Sequence, residues 1–474
     1  VGTTGAQDWL GRLAPVDGNR TLTGTVLTLE GGVLGSGAGL TLSGELLLGA
    51  DATDLAALTV TGDARLAGDV TTTGVQRYLG ETLLAGDRRT LGASRVELGR
   101  LRGGGQTLAV LGALTLSDAA TGLAALTVSD AVLLRADVTT AGLQRYDDVV
   151  TLGGGDRILQ GTRVTLAELV GAGSGLTVGG ALTLGGPAAG LASLDVAGAA
   201  QLAGDVTSTG PQRYGSRTEL AGAARTLTAE TVVLEGAVAG DGATALTVAG
   251  ALELGAAAGG LGALTVTGTS LLSGDVATAG AQRYLDGATL AGGSRRLAAS
   301  EVTLASLEGG GSALVVDGAL DLDGAAGNLS TLAVTGTADL AADVTASGAQ
   351  RFDGTLTLRG GSRTLTAGSV GLGDGVTGAT GTEALAITGD LDLTGAAGSL
   401  ASLSVAGAAR LAGDVSTSGV QRYAGPVSLA GPARRLTASE VRLAAPLVGV
   451  ASPDLIVAGA LDLGGAASGL GALD

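Results

Sequence analysis

No cysteine, methionine, histidine or lysine occurs anywhere in this chain, and one Trp, five Tyr and one Phe supply all the aromatic rings of its 474 residues. Each absence excludes something. Without Cys there is no disulfide framework, and no thiol that could mispair during export. Without His, Cys or Lys, catalysis lacks its commonest bases and nucleophiles. Without Phe, Tyr, Trp and Met in number, a core cannot fill irregular space. Yet 45% of the residues are hydrophobic. Leu, Val and Ala must therefore make a narrow, regular core in which small aliphatic side chains stack on copies of themselves. No apolar run is long enough to cross a bilayer as a helix. The net charge is −17 and every one of the 27 basic residues is Arg. Such a balance repels phosphate backbones and anionic membrane surfaces, so neither nucleic acid nor membrane insertion is expected. Only 15% of residues are charged, which is too few for a disordered acidic chain.

What is present is a repeat. The segment Asp-Val-x-x-x-Gly-x-Gln-Arg-aromatic occurs six times, with its glutamine at Gln76, Gln144, Gln212, Gln282, Gln350 and Gln421, in steps of 68 to 71 residues. A partial copy holds Gln7 and Trp9. Every aromatic residue sits two places after one of these glutamines, at Trp9, Tyr78, Tyr146, Tyr214, Tyr284, Phe352 and Tyr423. One structural slot, copied seven times, is the simplest reading. Leu-x-Val-x-Gly-x-Leu-x-Leu segments recur in phase, as at Leu108 to Leu116 and Leu176 to Leu184.

Apolar residues alternate with period two over three to five residues, and Gly or Asp-Gly punctuates the runs. That is a strand signature, and nothing sustains a helical period. The Asn-Gly dipeptide of tight hairpins is absent. Coils wound in one direction fit better. The predicted fold is all-β, a right-handed parallel β-helix with about three coils of three faces per repeat. Residues 1–474 are expected to form one continuous solenoid of seven repeats. No polar capping segment is visible, so a piece of a longer array, or a unit stacking on its copies, is expected.

Two constellations recur with the repeat. Asp and Arg stand 20 residues apart at Asp69/Arg89, Asp137/Arg157, Asp205/Arg225, Asp275/Arg295, Asp343/Arg363 and Asp414/Arg434. Twenty residues is close to one coil, so each pair can fix the register of adjacent coils. Read functionally, each pair is a periodic ligand or calcium site, a reading disfavoured because one Asp beside an Arg offers calcium too few oxygens. The second constellation is the Gln-Arg-aromatic row: Gln76 with Tyr78, Gln144 with Tyr146, Gln212 with Tyr214, Gln282 with Tyr284, Gln350 with Phe352 and Gln421 with Tyr423. Read structurally, the ring covers a coil corner and Gln satisfies backbone groups. Read functionally, the row is an evenly spaced surface ligand for glycans. Threonine clusters such as Thr71-Thr72-Thr73 come once per repeat and degrade to Thr345-Ala346-Ser347, so they make no ice-binding face. Gly103-Gly104-Gly105 has no Lys-Ser/Thr after it and is a loop, not a phosphate cradle. No catalytic residue, metal ligand or cofactor is expected.

The repeat Asp69-Val70-Thr71-Thr72-Thr73-Gly74-Val75-Gln76-Arg77-Tyr78, interleaved with Leu-Thr-Val strands, resembles the repeats of filamentous haemagglutinin-type exoproteins, the large secreted partners of two-partner secretion systems. The resemblance covers the whole chain. It implies a right-handed β-helix, export through an outer-membrane pore, an extracellular or cell-surface location, and a role in adhesion or biofilm. The function expected is a non-catalytic fibre or stalk of a surface adhesin or matrix filament. Its partners are other copies, end to end or side by side, and cell-surface glycans or neighbouring cells. Alternatives are a multivalent glycan-binding module and an S-layer or sheath protein.

Overall fold

A computed structural model describes residues 2, 4–15 and 18–474. The chain divides into two compact units, Val1–Gly236 and Ala237–Asp474. Each is a parallel β-solenoid, and together they carry about 24 turns with 62% of residues in strands. Among the described residues there is no helix.

The alternation read from the sequence sets which side chains point inward. In Gln76-Arg77-Tyr78 the outer two residues are buried and Arg77 is half-exposed. The same pattern gives Leu-Thr-Val and Val-Glu-Leu their buried ends. Every strand pair described is parallel, and equivalent inward residues stack from coil to coil. In one ladder Leu42 pairs with Val60, Val60 with Tyr78, Tyr78 with Leu98, and Leu98 with Leu116. Successive rungs of a ladder stand ~4.8 Å apart. Six of the rings, all but Trp9, follow one rule: each has a Val on the coil before it and a Leu on the coil after, as in Val128, Tyr146 and Leu166 or Val334, Phe352 and Leu372. A ring needs room, and the smaller Val beneath it supplies that.

Register refines the expected count of about three coils per repeat. From Leu58 to its equivalent Leu126 the chain lays eleven rungs, beginning at Leu58, Ala64, Val70, Gln76, Thr82, Arg89, Val96, Leu101, Leu108, Leu114 and Ala120. With three rungs to a coil, one repeat makes three coils and two further faces. Each repeat therefore begins one face away from the last. In the first unit, register followed from Gln7 through Leu27, Leu46, Ala64, Thr82, Leu101, Ala120, Val138, Leu159, Val178 and Val196 arrives at Tyr214, beside Gln212. Gln76 and Gln144 lie on the other two ladders, stacked on Leu58 and Leu126. In the second unit Gln282, Gln350 and Gln421 stack on Leu264, Leu332 and Leu403, again on three separate ladders. All three faces must accept every part of the repeat.

Coil length varies at the corners. Most rung-to-rung steps are 18 residues, as from Asp51 to Asp69. The step after the glutamine strand is longer, 20 residues from Arg77 to Glu97. The extra residues form the loop before Arg89, where Gly86 takes φ 87°. That left-handed backbone favours glycine, and a side chain there would also have to displace the Arg89 guanidinium.

Candidate functional site

The glutamine occupies a corner where two successive coils turn with different lengths. Val70 and Thr71 pair with Leu91 and Gly92, and pairing resumes at Val75 with Arg95. One residue fewer spans the corner of the later coil, so ladder pairing breaks there. Gln76 Nε2 bridges the break. It donates to the Val70 carbonyl at 3.0 Å and to the Gly92 carbonyl at 2.8 Å. Tyr78, two residues on and facing the same way, donates its hydroxyl to Gln76 Oε1 at 3.2 Å. Both Nε2 protons and the amide oxygen are thereby used, as burial demands.

The clasp is copied with little variation. Gln144 bonds Val138 and Gln160 carbonyls at 3.1 and 2.8 Å, Gln212 bonds Val206 and Thr228 at 3.1 and 2.9 Å, and Gln282 bonds Val276 and Ala298 at 3.1 and 2.9 Å. Gln350 bonds Val344 and Thr366, both at 3.0 Å, and Gln421 bonds Val415 and Thr437 at 3.1 and 2.9 Å. Tyr146, Tyr214, Tyr284 and Tyr423 donate to their glutamines at 3.1 to 3.4 Å. Burial pushes each phenol above its ordinary pKa. Phe352 has no hydroxyl, and Gln350 Oε1 is left buried without a donor.

These positions correct the surface-row reading. None of the six glutamines and none of the six rings at Tyr78, Tyr146, Tyr214, Tyr284, Phe352 and Tyr423 is more than 1% exposed. They cannot meet a glycan. The physical reason is the break in pairing, which leaves carbonyls that need an internal donor. Nor do they form one row, because each repeat turns to the next face. The threonine cluster is likewise partly internal. The hydroxyls of Thr72, Thr140, Ser208, Thr278 and Thr417 donate to the glycine carbonyl two residues on, at 2.7 to 3.0 Å.

The Asp/Arg sets meet differently from expectation. A carboxylate–guanidinium contact forms at Asp69–Arg89, 3.3 Å, and at Asp205–Arg225, 3.6 Å. In all six sets, however, the carboxylate accepts the backbone N–H of the residue after the arginine. Asp69 takes it from Thr90, Asp137 from Ile158, Asp205 from Thr226, Asp275 from Arg296, Asp343 from Thr364 and Asp414 from Arg435, at 2.8 to 3.0 Å. The aspartate thus pins one coil to the next through the backbone. The arginine mostly turns back on its own loop. Arg89, Arg157, Arg225, Arg295 and Arg363 donate to the carbonyl four residues earlier, and Arg434 donates to that of Ala433.

One irregularity was missed in the sequence. The corner loop between Gly378 and Leu385 is two residues longer than its equivalent between Gly309 and Leu314. It buries Glu383, the one buried carboxylate among the described residues. Thr380 donates to it through its hydroxyl, 2.6 Å, and its N–H, 3.0 Å, and Thr382 N–H adds a bond at 3.2 Å. The Thr380 hydroxyl and the backbone donors hold this carboxyl below the usual carboxylate range. A shallow groove of about 540 Å³ lies over the loop, lined by Thr380, Ser399, Ser416 and Ser418 among others. The carboxylate is committed to its own loop and does not serve the groove. Among the described residues no group of three or more acids, histidines or cysteines is placed to hold a metal ion. No helix there is long and apolar enough to cross a membrane.

No family model, curated protein or solved structure matches this chain.

Proposed function

We propose that the chain is a spacer segment of an extracellular filament, the stalk of a bacterial surface adhesin or matrix fibre, exported as filamentous haemagglutinin-type proteins are and without catalysis of its own. The observation that carries this reading is where the repeat spends its distinctive residues. Gln, Tyr and Asp, the parts that could recognise a ligand, are used internally to hold coil on coil. What remains outside is mainly Thr, Ala, Gly and interspersed Arg, Asp and Glu, with scattered exposed aliphatics such as Leu79, Leu111 and Leu285, and exposed pairs such as Arg77–Glu97 at 2.8 Å neutralise one another locally. A solenoid whose faces are interchangeable suits a spacer, since repeats can be added or lost without disturbing their neighbours.

Removing one repeat, residues 76–143, tests the role in the full-length protein displayed on its own cells. A spacer shortens by about 18 Å, at ~4.8 Å per coil, and keeps its binding to target surfaces per displayed molecule. Loss of that binding, with display and folding intact, would overturn the proposal in favour of a binding module. A two-dimensional lattice in electron micrographs of the cell surface would overturn it in favour of a sheath.

A further inference from the structure

We infer that Asn328 is an attachment site for an N-linked sugar. The chain contains only two asparagines, and each opens an Asn-x-Ser/Thr triplet, Asn19-Arg20-Thr21 and Asn328-Leu329-Ser330. Ser and Thr together are fewer than one residue in five, so coincidence at both positions is a rare outcome. The triplet is the acceptor signature of N-glycosylation, in which the transferase reads the hydroxyl residue two places on.

The fold needs a left-handed residue at 328 but not an amide. Asn328 has φ 52° at a coil corner. The equivalent corners are filled by Asp54, Gly122, Gly190, Gly260 and Ser399, all with positive φ. Asn328 is exposed, and its carboxamide makes no hydrogen bond among the described residues. Asn19 is different. Its Oδ1 accepts the Gly39 N–H at 3.0 Å, as Asp156 accepts that of Gly175 at 2.7 Å, so the fold itself accounts for Asn19. Asn328 has no such structural duty.

The reaction requires a glycosyltransferase and a sugar carried on a nucleotide or lipid diphosphate. A bond forms between Asn328 Nδ2 and the anomeric carbon. The bond from that carbon to the phosphate oxygen breaks, its electron pair leaves with the phosphate, and one amide proton passes to a base of the transferase. In the folded coil the triplet's backbone is pinned to the coil before it: Gly311 N–H donates to the Asn328 carbonyl at 2.7 Å and Ser330 N–H to the Ser312 carbonyl at 2.9 Å. Transfer therefore precedes closure of this coil, and the exposed corner accommodates the sugar afterwards. The site is independent of whether the chain acts as a spacer.

Mass spectrometry of the exported native protein tests this. Arginine-specific cleavage releases the peptide 297–351, which holds Asn328 as its one acceptor. The expected result is the added mass of a sugar on Asn328, lost in both Asn328→Asp and Ser330→Ala. Asn328→Asp keeps the fold because Asp54 already occupies an equivalent corner. A bare Asn328 in the exported protein would overturn the inference, and so would a sugar that persists in Ser330→Ala.

Discussion

The clasp around Gln350 and the clasp around Gln76 differ by two oxygens. In the first copy Tyr78 supplies a hydroxyl to Gln76, and Thr72 supplies one to the Gly74 carbonyl. In the fifth full copy Phe352 and Ala346 stand at those places, and Gln350 Oε1 has no donor. The two bonds from Gln350 Nε2 to backbone carbonyls survive unchanged. What persists in every copy is thus the bridge across the corner. The tyrosine hydroxyl is an addition that completes the glutamine. The bridge holds the coils, and the hydroxyl removes the cost of a buried acceptor.

Breaking the bridge has the largest effect. Gln76→Leu strands two carbonyls and the Tyr78 hydroxyl, a local loss of about 3–9 kcal/mol at about 1–3 per buried group. Gln350→Leu strands only the two carbonyls and removes an acceptor already unpaired, so its loss is smaller by about 1–3 kcal/mol. Amide exchange across residues 58–98 and 332–372 reads both losses. Alkali separates the copies next. Burial raises the phenol pKa of Tyr78 and its counterparts above the ordinary 10.0. The fold thus holds the neutral phenol, its contribution is complete below pH 10 and declines as pH rises further, by about 1.4 kcal/mol per pH unit until the folded value is reached. The coil of Phe352 has no phenol and should keep its exchange protection where the tyrosine coils lose theirs. Supplying or removing the hydroxyl is a finer test. Phe352→Tyr should gain, and Tyr146→Phe lose, about 1 kcal/mol in thermal unfolding. Smallest is the aspartate pin. Asp137→Ala should cost about 0.5–1 kcal/mol through the exposed Ile158 N–H, and Asp69→Ala a few tenths more for its Arg89 contact.

Period-two alternation and the six glutamines were enough to read a parallel solenoid from sequence. The rung count was harder. Leu101-Arg102 is a two-residue strand between glycines and a charged turn. The stretch 65–70 looks like one strand but belongs to two, Ala64–Leu66 and Val70–Thr72, separated by the turn Ala67-Gly68-Asp69. Ala64 and Ala120 face inward as rungs although alanine carries little strand signal. Eleven short rungs were therefore seen as about nine. The site was legible only in half. Period two puts Gln76 and Tyr78 on the same side and Arg77 on the other, which points the polar amide into the core. What required it there, a corner one residue shorter on the next coil, is a property of two coils together. The extra residues that bury Glu383 break the repeat by length alone, a weak signal among glycines.

Engineered cysteine pairs test the central claim of eleven rungs per repeat most directly, because the chain has no cysteine of its own. Arg77 and Glu97 are register partners with outward side chains. Cysteines at 77 and 97 should close a disulfide under mild oxidation, since adjacent parallel strands place Cα atoms within disulfide reach. A protein that instead bridges 77 to 100, as three longer coils per repeat would demand, contradicts the account.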